Sequence, residues 1–136
     1  MAEKTFKLEI VTPERTVLSQ NFASVVLPGK EGSLGILANH APLMAELTIG
    51  EIRLRDADGQ TIRMATSGGF VEVRDNVVRI LADTAERSDE INLQRAEEAR
   101  ERAETRLRSH ASDIDMMRAE AALKRAMVRI RIAREG

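Results

Sequence analysis

Apolar and polar residues alternate through the first part of the chain, up to about Ala82. Phe6, Leu8 and Ile10 show the pattern, and Ile52 and Leu54 repeat it. A period of two is how a half-buried strand sends alternate side chains to core and solvent. Turn residues interrupt it at short intervals. Asp58-Gly59 separates Glu51–Arg55 from Thr61–Thr66, and Asp75-Asn76 separates Phe70–Arg74 from Val77–Leu81, both in the manner of β-hairpins. Strands this short and this closely punctuated predict a small antiparallel β-sandwich or flattened barrel rather than βαβ units.

From Ser88 the residue types change to Ala, Glu, Arg and Leu, and the apolar period becomes helical, with Ala96, Ala99, Ala103 and Leu107 on one stripe. Ser88, followed by Asp89 and Glu90, predicts a helix start, because the hydroxyl accepts orphan amide hydrogens and the acids complement the helix dipole. Ser112 with Asp115 has capping-box spacing and opens a second helix, striped by Ala119, Ala122, Leu123, Ala126, Ile130 and Ala133. The break falls near Ser109 to Ala111. Pro13, Pro28, Pro42 and every glycine except Gly136 lie at or before Gly69, so no breaker divides the helical half. The predicted class is α+β: an N-terminal antiparallel β-sandwich over residues 1–85, then an antiparallel two-helix hairpin over residues 86–136. Stripes made mostly of alanine bury little area per residue, at roughly 25 cal/mol per Å². Such a hairpin needs a packing surface and is poised to rearrange.

Composition removes several functions. The chain has 136 residues, 43% hydrophobic and 32% charged, enough for one large or two small domains. No apolar run approaches the ~20 residues of a membrane helix, and Met1 to Lys7 lacks the apolar stretch of a secretory signal, so a soluble protein made in the cytosol is expected, with no direct membrane insertion. There is no Cys and there are two His, which leaves no disulfide framework and no ligand set for a metal. A net charge of -1 and the absence of Trp and Tyr argue against nucleic acid as a partner.

No residue pattern points to catalysis. No Ser stands in a nucleophile elbow, and no second His lies near His40. Gly29-Lys30 is followed by Glu31 where a P-loop needs Ser or Thr. His40, at the end of the glycine loop, suits either a structural hydrogen bond or a surface contact, and His110 reads as a solvated residue at the interhelical turn. From Arg118 to Arg134 the terminal helix carries Arg118, Lys124, Arg125, Arg129, Arg131 and Arg134 against one acid, Glu120. A solvated C-terminal helix face accounts for part of that cluster. An acidic protein surface, a nucleotide phosphate or a membrane surface would each account for the rest.

The loop Pro28-Gly29-Lys30-Glu31-Gly32-Ser33-Leu34-Gly35-Ile36-Leu37-Ala38-Asn39-His40-Ala41-Pro42-Leu43 resembles the signature of the ε subunit of bacterial-type rotary ATP synthases. So do Gly68-Gly69-Phe70-Val71-Glu72-Val73 and Leu81-Ala82-Asp83-Thr84-Ala85-Glu86. In the helical half, Asp113-Ile114-Asp115, Arg118-Ala119-Glu120 and Ala122-Leu123-Lys124-Arg125-Ala126 resemble Bacillus-type members. The resemblance implies a non-catalytic central-stalk subunit at the cytoplasmic face of a bacterial cell membrane. Its sandwich would bind the rotor γ subunit and rest on the c-ring, with Glu31, Ser33 and His40 in the c-ring-facing region. Its hairpin would switch between a compact form and an extended form that reaches the catalytic α and β subunits and blocks ATP hydrolysis. The basic face Lys124, Arg125, Arg129, Arg131 and Arg134 would meet an acidic segment of a β subunit.

Some Bacillus-type members bind ATP as a regulatory ligand in the compact form, through Ile or Leu, Asp, two variable residues, Arg and Ala. The matching stretch is Ile91-Asn92-Leu93-Gln94-Arg95-Ala96, with Asn92 where the motif has Asp. An amide keeps one acceptor oxygen and loses the charge that would pair with an arginine. Glu86, Arg102, Arg106, Arg118, Arg125 and Arg129 match positions around the nucleotide in ATP-binding members. For Glu86 to Arg106, ordinary ion pairing on a helix surface is the other reading. An ATP-sensing module, with nucleotide binding as its main activity, is the alternative function.

Overall fold

The computed structural model describes residues 3–109 and 112–136, so His110 and Ala111, where the interhelical break was predicted, lie outside the described residues. Ten strands form one sheet that wraps on itself: β1 (Phe6–Val11), β2 (Thr16–Phe22), β3 (Ser24–Gly29), β4 (Gly32–Leu37), β5 (Leu43–Leu47), β6 (Gly50–Arg55), β7 (Thr61–Thr66), β8 (Gly69–Arg74), β9 (Val77–Ala82) and β10 (Ala85–Arg87). Two helices follow, α1 (Leu93–Arg108) and α2 (Asp113–Glu135). The strand order is β10-β7-β6-β3-β5-β8-β9-β1-β2, with β4 paired to β3 alone.

Alternation does what the sequence pattern requires. Phe6, Leu8, Ile10, Phe22, Leu27, Ile36, Ile52, Leu54, Met64 and Ile80 fill a single core between the two halves of the folded sheet. The turn Asp75-Asn76 has φ of 51° and 60°, the left-handed pair that a two-residue hairpin needs, and Asn is among the few residues that tolerate it. Gly69 opens β8 at φ 148°, where a side chain would run into the Leu81 carbonyl across the β8–β9 ladder. The pairing of β1 with β9 is parallel, whereas the other pairings are antiparallel.

The sheet extends past Ala85. Glu86 and Arg87 pair with Ala65 and Met64 of β7, two residues into the stretch predicted as hairpin. The helix predicted from Ser88 also starts later. Ser88–Glu90 is a single 3-10 turn, fastened by the Arg87 N–H donating to Glu90 Oε1 at 3.1 Å. Ile91 then becomes extended and buries its side chain, so α1 can begin only at Asn92, whose Oδ1 accepts from the Arg95 N–H at 3.0 Å. The second helix starts as predicted, with Ser112 Oγ accepting from the Asp115 N–H at 3.3 Å.

Ala96, Ala103, Ala119 and Ala126 are buried where the helices face each other. A second apolar strip on α2, Val128 and Ile132, lies on the outward face of β6 and β7 and packs with Ala65 and Ile91, joined by the partly buried Ile49 and Ala133. That cluster is separate from the sandwich core. The apolar contact between hairpin and sandwich is therefore a small patch outside the sandwich core.

Candidate functional site

The wrapped sheet does not close between its edge strands, β10 and β2. A cavity of about 490 Å³ occupies that seam. Thr12, Glu14, Arg15 and Val17 form one wall, Thr84, Ala85 and Glu86 a second, and Ala99, Ala122, Arg125, Ala126 and Arg129 of the helices the third. Its place follows from local structure. The buried Thr66 hydroxyl donates to the Thr84 carbonyl at 2.8 Å and accepts from the Gly68 N–H at 3.1 Å, which shapes the β9–β10 turn. β10 then pairs Glu86 opposite Ala65, the residue α2 covers, so the Glu86 carboxylate faces the helix.

There it meets Arg129. Nε lies 2.8 Å from Oε1, and Nη2 donates to Oε2 at 3.2 Å. Nε itself is buried and poorly aligned for a hydrogen bond. Arg15 reaches Glu90 at 3.5 Å on the rim. Arg125 lines the cavity, is exposed, and has no ion-pair partner among the described residues. Alanines and Val17 supply apolar wall, with Arg15 on the first wall and Arg125 and Arg129 on the third. A cavity of this size, mostly apolar with a few converging charged groups, has the form of a small-molecule site.

The family model for the ATP synthase Delta/Epsilon chain β-sandwich domain matches residues 5–88, and that for its long α-helix domain matches residues 89–134. This chain belongs to the ATP synthase delta/epsilon chain family. It is 53% identical over 107 residues to the ATP synthase epsilon chain of Pelotomaculum thermopropionicum, covering 79% of each chain. Against the ATP synthase epsilon chain of Syntrophomonas wolfei it is 55% identical over 107 residues, covering 79% of this chain and 78% of that one. Among solved structures it resembles a chain of the Euglena gracilis mitochondrial ATP synthase, solved with OSCP, F1 and c-ring, at TM-score 0.80 and 25% identity, over 91% of this chain and 78% of that one.

Within this delta/epsilon fold the residues expected around a nucleotide separate into two groups. Glu86, Arg125 and Arg129 come together at the cavity. Ile91 and Ala96 are buried packing residues, and Asn92 is spent on the helix cap. Arg95, Arg102, Arg106 and Arg118 are exposed and do not line the cavity. Glu86 pairs with Arg129 and not with Arg106. Thr12, Glu14 and Arg15 line the cavity without having been singled out. They are about 70 residues from Glu86 in sequence, and only the sheet wrap that runs β1 beside β9 joins them to it.

The expected c-ring residues also divide. Glu31 and Ser33 sit at the β3–β4 turn, the end where the cavity lies, and both are exposed. His40 lies beyond the far end of β4, where the Asn39 N–H donates to Asn76 Oδ1 at 2.7 Å. A six-residue strand separates the two places, about 20 Å. The His40 ring is engaged locally, with Nδ1 donating to the Ala41 carbonyl at 2.7 Å. Of the basic face, Arg134 pairs with Glu97 at 2.7 Å and Arg129 with Glu86. Arg131 lines a cleft beside Glu51 and Arg53, while Lys124 and Arg125 remain exposed.

Proposed function

We propose that this chain is the non-catalytic ε subunit of the central stalk of a rotary ATP synthase, and that its hairpin exchanges between the compact form and an extended form that restrains ATP hydrolysis. The observation that carries the reading is the small, separate contact between hairpin and sandwich: Ala65, Ile91, Val128 and Ile132 against a sandwich core that does not depend on them. An element with so little buried area can leave without unfolding what it leaves behind. In the compact form Glu86 and Glu97 occupy Arg129 and Arg134. Release from the sandwich frees Arg129, and parting α2 from α1 would free Arg134, for an acidic surface on a catalytic β or α subunit, so the internal acids and the partner compete for the same side chains.

Rotor docking has its own surface. Val11, Leu81, Phe70 and Glu46 stand in register across β1, β9, β8 and β5 on the outward face, with Met44 diagonal to Phe70. Met44, Phe70 and Leu81 are 74%, 54% and 52% exposed, an apolar row of the kind a γ subunit would cover. The c-ring contact falls to Glu31 and Ser33, which are exposed, with His40 outside that patch. No described helix is long and apolar enough to cross a membrane, and we place the chain at the cytoplasmic face as a peripheral part of the complex.

ATP is proposed as a regulatory ligand of the compact form. Its phosphates would draw on Arg125, Arg129 and Arg15, and its base would lie on the alanine wall. The test is ATP hydrolysis by the α/β/γ complex with the full chain or with a version ending at Ser88, which keeps β10 whole. Inhibition by the full chain alone, relieved by rising ATP, supports both parts. Inhibition that ATP does not relieve removes the nucleotide site, and binding without inhibition removes the switch.

A further inference from the structure

Arg53 on β6 and Arg63 on β7 stand directly opposite each other on the outward face that α2 covers. Like charges so placed repel. Glu51, on the same face of β6, bonds both: Arg53 Nη2 donates to it at 2.9 Å, and Arg63 donates through Nε. One carboxylate thus serves two guanidinium groups. A second carboxylate comes from the hairpin, because Arg63 Nη2 donates to Glu135 in the last turn of α2 at 2.8 Å. Arg63 and Glu51 are 16% and 14% exposed, and Glu135 is 54% exposed, so the sandwich half of the cluster is shielded and the helix half is wet. Arg131 lines the adjoining cleft and forms no ion pair there among the described residues.

We propose that Arg63 is the catch of the hairpin, a positioning residue on the sandwich that holds α2 in the compact form through Glu135. This rests on the compact and extended reading above and names the contact that sets its balance. When α2 lifts, Arg63 keeps Glu51, so no half-buried guanidinium is stranded, and Glu135 passes into water that already reaches it. Leaving a buried charge alone is costly, whereas parting a wet pair is cheap. The bond between Arg129 and Glu86 lacks that provision, since Glu86 has no second cation among the described residues. The catch therefore holds and releases without a large barrier of its own, and it weakens as salt screens the wet partner.

The chain has no cysteine, so a single Val128→Cys on the docked face of α2 reports undocking by its rate of thiol labelling in the full chain. In that background Arg63→Gln and Glu135→Gln should each label roughly two- to fivefold faster. The double variant should label no faster than the faster single one, and the differences should vanish in 1 M salt. Glu135 is exposed, so its variant keeps the test intact if Arg63→Gln disturbs the sheet. Unchanged labelling in both single variants, or accelerations that multiply in the double, overturns the catch. If labelling tracks global unfolding in urea even before Arg63 is altered, the hairpin never undocks on its own, and the two-form reading falls together with the catch. A hairpin that undocks but ignores Arg63 loses the catch alone.

Discussion

Glu86 on the last strand and Arg129 on the last helix, 43 residues apart, form a two-point ion pair at the wall of the open seam. The pair joins the three parts that matter. β10 brings the carboxylate, α2 brings the guanidinium, and the gap between β10 and β2 gives a ligand room to reach both. A phosphate in the cavity would compete with Glu86 for Arg129 and would meet Arg125, which has no ion-pair partner among the described residues.

Amide spectra of the chain titrated with millimolar ATP should therefore shift at Thr84 to Glu86 and Ala122 to Arg129, and not at the exposed Arg102, Arg106 and Arg118. Replacing Arg129 with Gln removes a charge-assisted bond and should weaken binding by about 10- to 100-fold, following the 1.5–3 kcal/mol usual for such bonds. Shifts centred on Arg102 and Arg106 instead would put the ligand outside the seam.

Asn92 separates capping from ligand chemistry. Its side chain accepts from the Arg95 N–H, so Asn92→Ala should lower the stability of the hairpin by about 1 kcal/mol in thermal unfolding. Asn92→Asp keeps that acceptor and adds a charge favourable at a helix N-terminus, and should leave stability equal or slightly higher. A cap role predicts that order of the variants with no nucleotide present.

The strands, the Asp75-Asn76 turn and the Ser112 cap were legible because each depends on neighbours within a few residues: a period of two, a left-handed pair of φ angles, a hydroxyl three residues from its amide. The start of α1 was not, because Ser88 is as good a local cap as Asn92. Ile91 decides between them, since burying it under α2 requires the chain to be extended there. One wall of the cavity was equally invisible, as Thr12, Glu14 and Arg15 join Glu86 only through the parallel pairing of β1 with β9. Val128 and Ile132, four apart and off the alanine stripe, were a readable signal of a second packing face.

Acid should release the Glu3–Arg55 pair only once pH falls below the range in which an ordinary glutamate protonates. Arg55 donates twice to Glu3, at 2.7 and 2.8 Å, and this bonding holds the Glu3 carboxyl below its ordinary value of 4.5. A lowered folded-state pKa means that the stabilisation is present above the unfolded value and is lost as pH falls through the folded one. Stability measured against pH for the natural chain and for Glu3→Gln should differ above the ordinary value and converge below the lowered one. A difference that stays constant through that range would mean the pair contributes nothing to folding.

Ala65 is the point at which hairpin and sandwich can be uncoupled. It faces outward on β7, is buried by Val128 and Ile132 of α2, and lies outside the sandwich core. A larger side chain there wedges the helix and leaves the sheet's own packing untouched. Ala65→Leu should cost the docked state about 1–3 kcal/mol, the usual range for overpacking, while a chain ending at Ser88 with the same substitution should melt where its parent does. Limited proteolysis should then degrade the hairpin of the full-length variant and leave a resistant sandwich. If the substitution instead unfolds sheet and hairpin together, the two form one cooperative unit, and a hairpin that leaves while the sandwich stays folded is not a state of this chain.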